Sequence, residues 1–336
     1  MPGPPRLRES YDLVIVGGGH AGLQAAAKAG LLRRTAALVD RGPKYSRSYY
    51  APKMDNIPGF PEGISGHRLL DQQVAAVRGL SEWVDYFVPA RAVAVERTAE
   101  TGFSVTFDWL KQQLTARGRT LVLAMGVVDR IVEVGGRIDP IFPWANQALV
   151  DFCIVCDGHE LAGRSVGVIG HDTLAARTAL DIFEFAPTAV EILTHGRSPA
   201  FGATAQERSA LVSELERRGV RIVEAAIAGF DEIREHRFGV RFADGSHRSY
   251  DRGFSALGWY DMHDAFPRAL GCRFDAEGYV AVDDDSRALA AADGRAIPGL
   301  YVVGDQKSGW NQIPEAWASA ERAVLHAWAE YLEPRS

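Results

Sequence analysis

The sequence predicts an α/β fold in which two strand–helix–strand units follow one another along the chain. The first unit begins with the apolar run Tyr11–Val16 and the second with Ser165–Gly170, and each run passes directly into a turn and then a stretch of helix-forming residues. A length of 336 residues allows about two domains at roughly 150 residues each. We therefore expect two α/β domains, each with its own core.

The composition excludes several other classes of protein. With 47% hydrophobic residues, 24% charged residues and three cysteines, the chain resembles neither a disordered protein nor a small disulfide scaffold. A net charge of −6 argues against a general nucleic-acid-binding surface. No apolar run approaches the roughly 18 residues of a membrane span, and residues 1–10 contain no apolar signal region. We expect a soluble, cytoplasmic protein that binds neither nucleic acid nor a membrane.

The turn after the first strand carries glycines at the spacing of a dinucleotide-binding loop. Gly17 permits the tight turn, Gly19 lets the backbone approach a pyrophosphate, and Gly22 lets the helix pack closely on the strand. The helix N-terminus supplies amide donors for the phosphates. The next strand, Thr35–Val39, ends at Asp40, which is placed to accept hydrogen bonds from an adenosine ribose. These elements predict a Rossmann-like dinucleotide site.

Further strands and two helices complete the expected elements. The remaining strand-like runs are Phe103–Phe107, Leu121–Ala124, Val190–Leu193, Arg221–Ala226, Phe238–Phe242 and Phe254–Leu257. Residue spacing predicts a helix through Leu174 to Phe183 after the second turn, and a long amphipathic helix from Gln312 to Leu332.

A glycine–acid pair near the C-terminus identifies the dinucleotide. Gly304 and Asp305 end the β-rich run Ile297–Val303, just ahead of the helix that begins near Gln312. This arrangement resembles the second FAD fingerprint of flavoproteins with two dinucleotide domains, which implies that Asp305 holds the ribityl and pyrophosphate region. The amides at the start of the helix, around Gln312 and Ile313, would point at the pyrimidine edge of the flavin and favour its anionic reduced form. We predict FAD at the first site.

Two of the three cysteines, Cys153 and Cys156, are separated by two residues, and Asp157 follows the second of them. They are interpreted as a redox-active pair near a flavin, as half of a zinc site, or as two unrelated buried thiols. Structural zinc needs four ligands, and the third cysteine, Cys272, stands alone. Asp157 and His159 are either proton carriers for a dithiol or polar residues of a surface loop.

The order of these motifs resembles that of the low-molecular-weight thioredoxin reductases, over about residues 11 to 332. The matching motifs are the first glycine loop, Asn56–Gly63, Ala124–Gly126, Cys153–Gly158, the second strand–helix–strand unit and Gly304–Asp305. The resemblance implies a FAD-dependent dithiol–disulfide oxidoreductase with two Rossmann-like, three-layer domains, the second inserted into the first. Residues 1–126 and 256–336 would form the FAD-binding domain, and residues 127–255 the inserted domain with the cysteine pair.

The resemblance also implies roles for single residues. Cys156 would face the flavin, Cys153 would attack the substrate disulfide, and Asp157 would donate a proton. Asn56 and Gly126 would contact FAD. The expected partner is a thioredoxin-like protein or a small dithiol or disulfide, the expected assembly is a homodimer, and the inserted domain would rotate between two orientations.

The second unit departs from the family at its turn, Gly170–Ala175. Asp172 replaces the middle glycine, so that a carboxylate stands where the backbone would approach a pyrophosphate. The arginine run that binds the 2′-phosphate in the family is reduced to Thr194–Arg197, with one arginine. The sequence therefore predicts poor use of NADPH. A ferredoxin-type donor, a second FAD at the inserted domain, and an oxygen-linked dithiol oxidase stay open as alternatives.

Two other functions also stay open. The first alternative to a donor other than NADPH is an NADPH-dependent thioredoxin-disulfide reductase with a divergent nucleotide loop. The second is a non-catalytic flavoprotein redox sensor whose disulfide state governs binding to a protein partner.

Overall fold

The computed structural model describes residues 5–98, 102–231 and 236–332, and the predicted outer limits of the first domain, residues 1 and 336, lie outside them. In chain order, its strands are β1 (Tyr11–Val16), β2 (Ala36–Val39), β3 (Val84–Phe87), β4 (Ala90–Thr98), β5 (Gly102–Trp109), β6 (Gln112–Leu123), β7 (Val128–Asp129), β8 (Val150–Asp151), β9 (Ser165–Ile169), β10 (Ala189–Leu193), β11 (Arg221–Val223), β12 (Ile227–Asp231), β13 (Phe238–Phe242), β14 (His247–Tyr250), β15 (Arg252–Ser255), β16 (Trp259–Asp261), β17 (Arg287–Leu289) and β18 (Ala296–Val302). Its helices are α1 (His20–Leu31), α2 (Gly66–Arg78), α3 (Phe142–Ala145), α4 (Ile154–Asp157), α5 (Thr173–Asp181), α6 (Ala205–Arg217), α7 (Ala265–Ala269) and α8 (Ile313–Leu332).

Contacts divide the described chain into two compact units. The first unit comprises residues 5–50, 57–128 and 261–332, and the second comprises residues 51–56 and 129–260. Each unit contains a parallel sheet with helices packed on it, as expected for two Rossmann-like units.

The sheet of the first unit has β1 at its centre, with β2 and β6 paired to it in parallel. The strand order is β17-β18-β6-β1-β2-β3, and β5 and β4 continue from β6 as an antiparallel extension. Helices α1 and α8 contribute small buried side chains, such as Ala26 and Ala323, to the core on one face. Aromatic side chains, including Phe87 and Phe107, fill the core on the other face.

The second unit has a fully parallel sheet in the order β11-β10-β9-β15-β8. A separate antiparallel sheet is formed by β12, β13 and β14. Leu161, Val168 and Phe254 belong to one core of this unit, and Trp144 and Phe238 belong to another. The cysteine-bearing helix α4 follows β8, so the parallel sheet fixes where the cysteine pair begins.

The predicted α/β fold with two Rossmann-like units is confirmed, and most strand positions agree within a few residues. The largest boundary difference is in β6, which begins at Gln112 and not at Leu121. Its first part pairs with β5 in the antiparallel extension, and parallel pairing with β1 begins at Gly118. The sequence is continuously apolar only over Leu121–Leu123, the buried end of the strand, and that is the part the sequence predicted. The sequence did not predict β3, β4, α2 or α6. The predicted strand Arg221–Ala226 ends at Val223, and β12 begins at Ile227.

No helix among the described residues is long and apolar enough to cross a membrane.

Replacing Gly22 with alanine should lower the free energy of unfolding by about 1–3 kcal/mol, since the added Cβ would overlap the carbonyl oxygen of Gly17 and force α1 away from β1. Gly79→Ala is the matched control, because Gly79 has the helical φ of −63° at the end of α2 and alanine is favoured there. Urea unfolding of the wild type and both variants measures the difference. An equal loss in the two variants would contradict a packing role for Gly22.

Candidate functional site

In the first glycine motif, after β1, the backbone is closely packed at Gly17 and Gly22 and open at Gly19. Gly17 has a φ of +99°, and a Cβ there would overlap the carbonyl oxygen of Ala124. A Cβ at Gly22 would overlap the backbone of Gly17, whereas a Cβ at Gly19 would meet only the Oγ of Ser46, at 3.7 Å. The fold therefore requires Gly17 and Gly22, and the space at Gly19 suits a ligand that approaches the backbone.

Helix α1 begins directly after this open position. Gly19 is its N-cap residue, and among the described residues no side chain caps its first amides. Uncapped amides at a helix N-terminus need acceptors, and an anion such as a pyrophosphate satisfies both their hydrogen bonds and the helix dipole. The loop and the helix start together fit a dinucleotide.

Asp40, the predicted ribose ligand, is buried at the end of β2. Its carboxylate accepts hydrogen bonds from the backbone amide of Gly18 at 3.0 Å and from the hydroxyl of Tyr86 at 2.9 Å. Burial and the charge of Asp40 raise the pKa of Tyr86 far above its usual range, which keeps the hydroxyl a donor. Because each carboxylate oxygen can accept more than one hydrogen bond, Asp40 can hold the loop and still accept from a ribose.

The second predicted flavin motif lies against the start of α1. Gly304 has a φ of +69°, and a Cβ there would come within 2.9 Å of the Cβ of Ala21. Its amide donates to the Oγ of Ser319 in α8 at 3.1 Å. Asp305 follows, and the guanidinium of Arg47 lies 3.6 Å from its carboxylate. The structure therefore brings the two predicted FAD motifs together in the first unit.

The other predicted cofactor residues occupy separate positions. Gly126 follows β6 with a φ of +64°, and the described residues place no atom within 4 Å of a Cβ built there. Gln312 precedes α8 and donates to the carbonyl of Asn311 at 3.1 Å, and Ile313 is the first residue of α8. Contacts group Asn56 with the second unit.

His20, the first residue of α1, is a site residue that the sequence did not single out. Its imidazole is buried, with Nδ1 2.5 Å from the side-chain oxygen of Gln73 and Nε2 2.6 Å from the Oγ of Ser48. Burial lowers its pKa to about 4, so the ring is neutral. The histidine thus joins the loop to the turn that contains Ser48 and Arg47. A histidine within a glycine-rich turn was the available signal.

The cysteines of the second unit form a disulfide, with an S–S distance of 2.06 Å between Cys153 and Cys156. Cys153 precedes α4, and its carbonyl accepts hydrogen bonds from the amides of Cys156 and Asp157, both at 3.1 Å. Val155, between the cysteines, has 53% of its surface exposed. Cys272 is free and buried in the first unit, and burial raises its pKa to about 11. Paired thiols are confirmed, and the reading of two unrelated thiols is wrong.

Asp157, the predicted proton donor, has its pKa raised to about 6. Burial is the main cause and the charge of Asp55 adds to it, whereas His159 and Arg252 oppose it. The Nε2 of His159 lies 3.4 Å from the carboxylate of Asp55. A carboxyl group with this pKa can exchange a proton near neutral pH.

A second carboxyl group near the disulfide, Asp151, was missed by the sequence analysis. Asp151 ends β8, two residues before Cys153. Burial, followed by the charge of Asp157, raises its pKa to about 8, while Arg252 and Arg164 lower it. The signal in the sequence was an acid at the end of an apolar run that leads into the cysteine motif.

In the turn of the second unit, the backbone amides that would be expected to bind a nucleotide phosphate donate instead to a side chain of the same turn. Asp172 is the N-cap of α5, and its Oδ1 accepts from the amides of Leu174 at 3.1 Å and Ala175 at 3.3 Å. The carboxylate therefore supplies the negative acceptor that the start of α5 needs. This is the opposite of α1, whose N-cap is Gly19.

The loop after β10 is also hydrogen-bonded to the chain itself. The amide of Ala200 donates to the carbonyl of His171 at 2.7 Å, and the amide of Gly202 donates to the Oγ1 of Thr173 at 2.8 Å. His195, in the position of the expected arginine run, lies 2.9 Å from the carbonyl of Glu133 through Nε2 and accepts from the amide of Ile227 through Nδ1. These side chains stabilise the fold of the second unit.

Comparison with protein families gives a match across most of the chain. Residues 11–322 match the model of the pyridine nucleotide-disulphide oxidoreductases. The thioredoxin reductase of Listeria innocua is 22% identical over 302 residues, which cover 89% of this chain and 86% of that protein.

Two further comparisons are narrower in what they show. The thioredoxin reductase of Aquifex aeolicus is 26% identical over 176 residues, so the matched part of this chain spans about half, 51%, of that relative's length. The crystal structure of thioredoxin reductase from Streptococcus pyogenes has a TM-score of 0.77 at 19% identity and covers 96% of this chain and 98% of that one, which shows that the fold is shared.

Replacing Asp151 with asparagine should stabilise the protein in a pH-dependent way. Because the folded-state pKa is raised to about 8, the folded protein binds this proton more tightly than the unfolded chain, and the resulting cost to stability is absent below about pH 4 and complete above about pH 8. We expect a gain on the order of a few kcal/mol at pH 8 and little at pH 4, measured by urea unfolding. The exposed Asp293→Asn variant is the control. A gain that is equal at both pH values would contradict the raised pKa.

Proposed function

Because the chain belongs to the pyridine nucleotide-disulphide oxidoreductase family, we propose that it is a FAD-dependent dithiol–disulfide oxidoreductase similar to the thioredoxin reductases. The observation that carries the proposal is the disulfide between Cys153 and Cys156, beside a carboxyl group whose pKa is near neutral. Residues 127–255 would form the inserted domain with this pair, and residues 1–126 and 256–336 the FAD-binding domain.

FAD would be held by the predicted residues of the first unit. The amides after Gly19 would bind the pyrophosphate, Asp40 would bind the adenosine ribose, and Asp305 would bind the ribityl region. The remaining proposed contacts are Gly17, Gly22, Asn56, Gly126, Gly304, Gln312 and Ile313. The open space at Gly19 and the uncapped start of α1 support this assignment. When bound, FAD supplies two-electron exchange with the cysteine pair.

The two cysteines would have different roles. Cys153 would attack or release the external disulfide, and Cys156 would face the flavin. Reducing the pair breaks one S–S bond and adds two electrons and two protons, so a proton carrier is needed next to the sulfur atoms. Asp157 would give a proton to the leaving thiolate and take it back in the reverse direction, which its pKa of about 6 allows.

The electron donor is proposed to be something other than NADPH at the usual site. The carboxylate of Asp172 satisfies the amides at the start of α5, and a nucleotide phosphate would have to displace it. A ferredoxin-type protein, a second FAD at the inserted domain, or oxygen in a dithiol-oxidising direction would then complete the reaction. A thioredoxin-type protein or a small disulfide is the proposed partner, and a homodimer is the proposed assembly.

Replacing Cys153 with serine should leave FAD bound and abolish thiol-linked reduction of the flavin. Under anaerobic conditions, dithiothreitol should bleach the flavin absorption of the wild type, and the variant should be slower by several orders of magnitude. Cys272→Ser is the matched control, because that thiol lies outside the pair, and it should behave as the wild type does. Equal bleaching of wild type and Cys153→Ser would refute the assigned role.

Replacing Asp172 with glycine should improve the binding of NADPH by about tenfold or more, because it frees two amides and removes a negative charge near the phosphates. Asp172→Asn is the comparison variant, since it keeps a capping group but removes the charge. Stopped-flow mixing with stoichiometric NADPH, with flavin absorption as the readout, measures all three proteins. Rapid bleaching of the wild type would favour an NADPH-dependent thioredoxin reductase and exclude the proposed donor.

A further inference from the structure

Arg252, at the start of β15, is a buried cation that contacts acids on both sides of the cysteine pair in the chain. Its side chain is 9% exposed; it forms an ion pair with Glu160 and lies 4.0 Å from the carboxylate of Asp151. Among the described residues, its Nε has no hydrogen-bond acceptor. Burying a guanidinium in this way is costly unless nearby acids compensate the charge, so its position calls for an explanation.

The two partners of Arg252 flank the disulfide along the chain. Asp151 lies two residues before Cys153, in a strand that pairs in parallel with β15. Glu160 lies four residues after Cys156, in the short turn that follows α4. A single side chain thus connects the strand that leads into the cysteine motif with the turn that leads out of it.

The carboxyl groups of Asp157 and Asp151 are surrounded by charges from several elements. The charged groups that act on them are Asp55 of residues 51–56, His159 of the turn after α4, Arg164 of the following loop, and Arg252 of β15, and Glu160 of the same turn pairs with both arginines. Arg252 is the cation that lowers the pKa of both carboxyl groups. Arg164 acts on Asp151, and its own side chain is 41% exposed.

We propose that Arg252 is a positioning residue for the dithiol–disulfide chemistry: through Asp151 and Glu160 it holds the two ends of the cysteine motif together, and it supplies a buried positive charge to the carboxyl groups on either side of the cysteines in the chain. The inference rests on the proposed function, because it gives the cysteine pair a proton carrier. It adds a residue outside the cysteine motif that acts through the carboxyl groups.

The proton balance explains what the buried charge does. When an external dithiol reduces the Cys153–Cys156 disulfide, the dithiol loses two electrons and two protons, the S–S bond breaks, and each cysteine sulfur gains one proton. Asp157 passes one of these protons to the leaving thiolate and is left as a carboxylate. The positive charge of Arg252 stabilises that carboxylate in a buried setting, and a proton from the oxidised dithiol then restores the acid.

Loss of Arg252 and loss of Glu160 are expected to move the pKa of Asp157 in opposite directions. Removing the guanidinium with Arg252→Met should raise the pKa of Asp157 by roughly one unit, because the carboxylate loses a favourable charge. Removing a negative charge with Glu160→Gln should lower the same pKa. Arg252→Lys keeps the charge and should stay near the wild type. A general loss of structure cannot shift the pKa in opposite directions in two variants.

The test measures the pKa values of the carboxyl groups and the rate of disulfide reduction separately, both in FAD-containing protein. Carbon-13 NMR of aspartate-labelled oxidised protein, assigned with Asp157→Asn and Asp151→Asn, gives the pKa values. The rate of disulfide reduction by dithiothreitol, divided by the fraction of its thiolate form, gives a pH profile that should fall as Asp157 ionises. We expect the pH at which this rate falls to be higher in Arg252→Met and lower in Glu160→Gln, in each case by the change in the pKa of Asp157.

Arg221→Met is the matched control, because Arg221 belongs to the same unit and pairs with a buried acid, Glu191, but its side chain is 73% exposed. It should leave the NMR titration and the rate profile unchanged. The proposal is overturned if Arg252→Met and Glu160→Gln leave the pKa of Asp157 unmoved, or if the pKa moves and the rate profile does not. Failure of the proposed function gives a different result, since dithiothreitol would then fail to reduce the flavin through the cysteine pair in the wild type itself.

Discussion

The unsatisfied amides at the start of a helix need an acceptor, and the two units of this protein meet that requirement in different ways. At α1 the N-cap is Gly19, whose missing side chain leaves the amides to an external anion. At α5 the N-cap is Asp172, whose carboxylate binds two of the amides. One chemical constraint therefore leads from the same local fold to a proposed FAD site in one unit and a self-capped turn in the other.

The second constraint is the burial of charge around the disulfide. Four acids, Asp55, Asp151, Asp157 and Glu160, lie near the cysteine motif, and burial raises the pKa of two of them toward the range in which thiol chemistry exchanges protons. The positive charge of the buried Arg252 guanidinium opposes this rise, because it lowers the pKa of both carboxyl groups. The packing that stabilises the second unit thus also determines the acid–base behaviour of the proposed site.

Packing of small residues links the fold to the proposed flavin site in the first unit. Gly22 lets α1 approach β1, and Gly304 lets the end of β18 approach Ala21 at the start of α1. His20 joins the same loop to the turn with Ser48, through a ring that burial keeps neutral. The glycine motif could be recognised in the sequence because its spacing is local. The contacts of His20 could not, because they join segments that lie far apart in the chain.

The sequence by itself determined the α/β class, the two turns that follow β1 and β9, the cysteine pair, and the replacement of a turn glycine by Asp172. Each of these can be recognised from neighbouring residues and from the period of an element. Only the tertiary structure decided that Asp172 caps α5 and that Arg252 lies next to Asp151, two residues before the cysteine pair. Asp151 and Arg252 are about 100 residues apart in the chain, and parallel pairing of β8 with β15 brings them together. Their pKa effects depend on burial and distance, which no local pattern of residues encodes.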